Sequence, residues 1–181
     1  MEAEQWLNNE DKVEHEARLE RLRWLASLMP NVEWMSYGTG PISKYLFVEA
    51  RYCFAYGQYL GSIILGLAFL EVSLVGAFYA AGRKDLERAK IAALSKQALN
   101  CGWLSKADCD AIKQVQHYRN AITHFRPPGH DERVEARAFH EGIATYEVIE
   151  RDARKVMQTV FHLLLKVVPW AARELPNVQN A

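Results

Sequence analysis

The chain has 181 residues, 50% of them apolar or aromatic and 24% charged, which suits one soluble globular domain whose core needs no disulfide or metal staple. Lysine plus arginine equals aspartate plus glutamate, for a formal net charge of zero, so no global field draws the chain to nucleic acid or to an anionic membrane, and any RNA contact must come from a local patch. The cysteines, Cys53, Cys101 and Cys109, are odd in number and show no CxxC or HxxxH spacing; they read as reduced thiols of a cytoplasmic protein, with no metal site expected.

The N-terminal "MEAEQWLNNED" is acidic and has no apolar signal core, so secretion is not expected. A charged first helix is predicted over residues 10–29, ended by Pro30. "PNVEWMSYGTGP" then breaks the periodicity with two glycines and two prolines, a loop or hinge near Gly38. Ser43 is expected to cap one long helical stretch running to about residue 81 and stopped by Gly82. A shorter helix follows over about residues 84–99, closed by "NCG". Ser105 caps "KADCDAIKQVQHYRNAITHF", with Asp108 three positions on as an acidic variant of the capping box.

"RPPGHDERVEARAFHEG" reads as a polar, proline-marked connection. Thr145 opens the last helix, whose stripe Tyr146, Ile149, Ala153, Val156, Val160, Leu164 and Val167 keeps three- and four-residue spacing until Pro169. No alternating apolar–polar run bounded by hairpin turns appears, so a sheet has no support. The expected architecture is all-α: an antiparallel helical bundle over residues 43–181, preceded by an additional N-terminal helix and hinge over residues 1–42.

Between Arg51 and Arg83 the one formally charged residue is Glu71, inside "YLGSIILGLAFLEVSLVGAFYAAG". The run is long enough to cross a membrane, and Gly57 and Gly61 have the small-residue spacing that membrane helices use. A carboxylate near its centre costs about 2.5–3.5 kcal/mol on insertion scales, and amphipathic partner helices are present to cover it. The preferred reading is therefore the central helix of the bundle, with no membrane partner. Glu71 then needs a cation, a cluster of donors or a proton.

"HYRNAITHF", residues 117–125, gathers an arginine and two histidines at the tail of a predicted helix. Ile112, Val115, Arg119 and Ile122 fall at spacings of three, four and three, so Arg119 stands in line with the core-facing stripe. An arginine there must have a partner or face a cleft, and Glu71 is the other charge in apolar surroundings. His124 lies five residues further on, about 140° round an ideal helix. The two converge only if the helix frays before Pro127, which the prolines favour because residues before proline avoid helical angles, or if the long arginine side chain reaches round. His117, Asn120 and His124 share a face, and the helix dipole favours a charged histidine at that end.

These residues resemble HEPN domains. "RNAITH" matches their R-x4-6-H pattern, in which asparagine often follows the arginine, and "AYGQYLGSIILGLAFLEVSL" is similar to the small-residue-rich helix carrying a leucine–glutamate step in many of them. The resemblance covers roughly residues 43–170. It implies an α-helical bundle that forms a homodimer and brings two motifs to one cleft. It also implies a metal-independent RNA endonuclease, without cofactor, of a toxin–antitoxin or antiviral defence system, in which RNA and an antitoxin or other protein are the partners. Carried onto this chain, it makes Arg119 and His124 the catalytic pair, with Asn120 orienting them. Beside it, the residue pattern offers Glu71, as the buried partner expected for Arg119, and His117 as supporting residues. Other members act as non-catalytic protein- or nucleotide-binding modules, and in that reading Arg119 is structural. In toxins paired with nucleotidyltransferase antitoxins a tyrosine commonly lies two residues after the histidine; here that position is Arg126, so regulation through such a tyrosine is not expected.

The chemistry asks for these residue types. Metal-free RNA cleavage removes a proton from a ribose 2′-hydroxyl and gathers negative charge on the attacked phosphate. Imidazoles as a class titrate near neutrality and can carry the proton; a guanidinium keeps its charge and offers a planar fork of donors to phosphate oxygens. Elsewhere, His15 and His140 are expected to be solvated and His162 to be a packed or surface residue. Trp6 and Trp24 are expected to pack on the bundle rather than to anchor a partner, and Trp34 and Tyr37 to make core contacts rather than to stack on a base.

Overall fold

The computed structural model describes residues 2–29 and 39–167. Its helices are α1 (Ala3–Leu28), α2 (Pro41–Ala55), α3 (Tyr59–Ala80), α4 (Ile91–Asn100), α5 (Lys106–Thr123), α6 (Val134–Glu141) and α7 (Thr145–Val167), with a short 3-10 turn at Lys84–Leu86 and no strand among the described residues. The chain is an all-α bundle, as its periodicity predicts. The most apolar segment becomes the axis: α3 packs against α2, α4, α5 and α7. Half of its most apolar stretch is buried inside the protein, so neighbouring helices cover much of the surface that would otherwise demand lipid. Gly66 allows α7 to approach closely, since a Cβ there would stand 2.6 Å from Val156 Cγ1. Phe47, Phe69 and Phe161 fill the space between α2, α3 and α7, with ring centroids 5.4 Å apart in both Phe47 pairs.

The helix expected over residues 43–81 is two helices. Gly57 takes a left-handed φ of 73°, which glycine adopts without a Cβ penalty. Around it, Gln58 N–H donates to Cys53 O at 2.7 Å and Gly57 N–H to Phe54 O at 3.1 Å, the paired bonds of a Schellman ending. The chain therefore turns back, and α2 and α3 pack against each other rather than end to end. Ser43 is not a cap but a buried residue inside α2, its hydroxyl donating to Gly40 O at 3.1 Å. Pro41 begins that helix, where its missing N–H costs nothing.

Four further expectations are corrected. The connection after Pro128 contains a helix, α6, whose Val134 and Ala138 are buried with Val148 of α7. The helix expected over residues 84–99 is a 3-10 turn followed by α4. The inner stripe of α7 begins at Val148 rather than Tyr146, which is exposed. Trp24 packs on the bundle, 4.9 Å from the Phe54 ring, but Trp6 does not and is 59% exposed. Trp34, Tyr37, Gly38 and Pro169 lie outside the described residues.

Buried charges tie the helices together. The Arg21 guanidinium, on α1, donates from Nε to Ala55 O at 2.8 Å and from Nη2 to Glu14 at 3.1 Å, placing positive charge at the electronegative C-terminus of α2. Arg137 of α6 forms a two-pronged ion pair with the buried Asp152 of α7. Asp108 at the start of α5 meets Lys166 and His162 of α7.

Candidate functional site

Helix α5 is fixed at its beginning by the capping box that its sequence predicts. Ser105 Oγ accepts from Asp108 N–H at 3.2 Å, and Asp108 Oδ2 accepts from Ser105 N–H at 2.8 Å. The same carboxylate, 2% exposed, accepts from Lys166 Nζ at 2.8 Å and lies 2.8 Å from His162 Nε2. Burial works to raise its pKa, but the bonds from Lys166, Ser105 and His162 outweigh it and hold the carboxyl well below the usual range. With one end held in this way, Ile112 and Val115 of α5 enter the core.

At the other end the stripe leaves the core: Arg119 and Ile122 are half-buried. The helix stops at Thr123, short of Pro127, and His124 turns to extended angles, φ −115° and ψ 131°. Its N–H still donates to Asn120 O at 3.1 Å. That departure swings the imidazole back along the helix, and Arg119 Nη1 lies 3.5 Å from His124 Nε2. A guanidinium only donates, so the contact is a hydrogen bond in the tautomer whose Nε2 carries the lone pair. The histidine is exposed, and among the described residues no other side chain bonds the Arg119 guanidinium.

The surrounding residues divide. Asn120 contributes its backbone carbonyl to His124, while its amide side chain makes no hydrogen bond to either member of the pair. His117 is half-buried and adds to the positive potential at Glu132. The Glu132 carboxyl is lowered chiefly by the hydrogen bond from Arg126 Nε at 2.9 Å, with the charges of Arg126, His130 and His117 assisting. His130 Nδ1 accepts from Glu132 N–H at 3.2 Å, so the loop from His124 to Arg133 is closed on itself by Arg126–Glu132. Phe125, next to the histidine, is 87% exposed.

Glu71 does not join this group. It is half-buried in an open cleft of about 680 Å³ lined also by Thr39, Val75, Tyr79 and Arg88, and among the described residues it forms no ion pair, so the expected Glu71–Arg119 pair is absent. Among the described residues, the buried charges that do pair are Asp108, Asp152 and Arg21. Of these, Asp108 was legible as a cap, and the four-residue spacing of His162 and Lys166 on α7 was the unused signal for its second role. His15 and His140 are exposed, as expected.

Among the described residues no three histidine, cysteine, aspartate or glutamate side chains converge as a metal-binding group. The chain matches no protein-family model, no curated protein and no solved structure.

Proposed function

We propose that this chain is a metal-independent endoribonuclease of HEPN type, acting as a homodimer in a toxin–antitoxin or antiviral defence system in the cytoplasm. The observation that carries the proposal is the approach of Arg119 Nη1 to His124 Nε2, 3.5 Å apart at an open helix end. In this reading His124 takes the proton from a ribose 2′-hydroxyl while the guanidinium binds the phosphate oxygens as charge gathers on them. Attack by that oxygen on the adjacent phosphorus breaks the bond to the 5′-oxygen, which leaves after receiving a proton. A two-fold dimer supplies a second imidazole, so one copy's His124 serves as base and the other's as acid. The exposed Phe125 ring offers apolar surface beside the pair for such a contact.

The test is cleavage of a mixed-sequence RNA by the purified chain in the presence of a chelator. His124→Ala and Arg119→Ala are each expected to lower the rate by about 10²–10³-fold. Because Arg119 is half-exposed and bonded to one exposed side chain, its removal is expected to cost under about 1 kcal/mol of stability. A sharp loss of stability, about 3–5 kcal/mol as for a broken buried pair, together with no cleavage by the parent chain, would instead mark Arg119 as structural and the chain as a binding module.

A further inference from the structure

Helix α1 outruns the bundle it belongs to. Every residue from 3 to 16 is exposed, a projection of roughly 21 Å at the rise of an α-helix. The stripe that packs Leu28, Trp24 and Arg21 against the core nevertheless continues N-terminally at three- and four-residue spacing, through Ala17, Val13, Glu10 and Trp6. Trp6 and Leu7 are each 59% exposed and Val13 is 78% exposed. A helical segment of this length is marginal in water without tertiary cover, and its apolar face has none among the described residues.

Charge selects what can cover it. Residues 3–16 carry the carboxylates of Glu4, Glu10, Asp11, Glu14 and Glu16 against the one ammonium of Lys12. Arg18 and Arg21 answer Asp11 and Glu14 within the chain; Glu4, Glu10 and Glu16 form no ion pair among the described residues. Pairing two such arms from two copies sets like charges together. A phosphate backbone or an anionic lipid surface is repelled in the same way. A helix with cationic flanks and an apolar seam meets both properties of the arm at once, and a tryptophan on an exposed stripe is the kind of anchor such contacts use.

We propose that the projecting half of α1, residues 3–16, is a docking site for a cationic amphipathic helix of another protein, which packs on Trp6, Leu7 and Val13 and pairs with the flanking carboxylates. The probe is a fluorescently labelled Leu/Lys heptad peptide titrated into the full chain, with a Leu/Glu heptad peptide as its charge-reversed twin. The cationic peptide is expected to bind, to weaken as salt rises, and to slow hydrogen exchange in residues 3–16. Trp6→Ala combined with Val13→Ala should weaken binding by roughly tenfold or more while leaving the melting midpoint unchanged, because both side chains are exposed. Equal affinity in that double variant, or equal binding of the Leu/Glu twin, would overturn the proposal. So would a dimer of the full chain that dissociates in the double variant, since that would assign the face to a second copy.

Discussion

Replacing Asp108 by alanine should destabilise the protein more than any other exchange of a polar side chain on α5. The carboxylate is 2% exposed and accepts from Ser105 N–H, Ser105 Oγ, Lys166 Nζ and His162 Nε2, all at 2.8–2.9 Å. Hydrogen bonds to a charged group contribute about 1.5–3 kcal/mol net, and loss of a helix cap costs about 1 kcal/mol. The full penalty for stranding a buried charge does not apply, because Lys166 and His162 are 37% and 59% exposed and can turn to water. The expected loss is about 2–4 kcal/mol, or roughly 5–15 °C in Tm for a chain of this size. Urea unfolding measures it, with the slope unchanged. A loss below about 0.5 kcal/mol, the level of an ordinary surface substitution, would refute the claim that this carboxylate joins α5 to α7.

The same site fixes a pH dependence. Asp108 is depressed in the folded state, so its stabilisation is complete above the unfolded carboxylate value of about 4 and declines as pH falls from there toward the folded value. The stability difference between the parent chain and Asp108→Ala should therefore be constant at neutral pH and shrink progressively below about pH 4.

Other exchanges follow from the same contacts. Arg137→Met leaves Asp152, 4% exposed, without its cation, and should cost about 3–5 kcal/mol by urea unfolding. Gly66→Ala drives a methyl to 2.6 Å from Val156 Cγ1 and 3.3 Å from Val160 Cγ2, and should lower stability by about 1–3 kcal/mol through overpacking; Gly66→Ala with Val156→Ala should recover part of that loss.

Much of the fold was legible because local chemistry and burial agree along most of the chain. The capping box at Ser105, the apolar run of α3 and the spacing along α7 each pointed to the element that forms. The break at Gly57 was not, because "AYGQ" carries no proline and sits within an apolar run; the signal is one glycine, and its use as a Schellman ending depends on α2 folding back beside α3. Helix α6 was hidden by its charge: Arg133, Glu135, Arg137 and Glu141 dominate the sequence, while Val134 and Ala138 make the buried contact. Trp6 continued a core-facing stripe, and nothing in the sequence marks where the bundle beneath that stripe ends.

The two charges stranded in apolar patterns show the limit of such patterns more sharply. Periodicity places Arg119 and Glu71 on inward faces and suggests that they meet. A stripe describes direction around a helix, whereas burial also depends on position along it. Arg119 lies one turn past Val115, where the stripe of α5 has run beyond its cover, and so its guanidinium reaches an open edge rather than a buried anion. Glu71 lies on the axial helix but opens on a cleft beside Thr39 and Arg88. Neither charge has to be neutralised by the other. What brings a partner to Arg119 is the end of its own helix: the extended angles of His124, just past Thr123, carry its imidazole back to 3.5 Å. The pairing is therefore local, written within "RNAITHFRP", and should survive changes elsewhere in the bundle that leave the two ends of α5 in place.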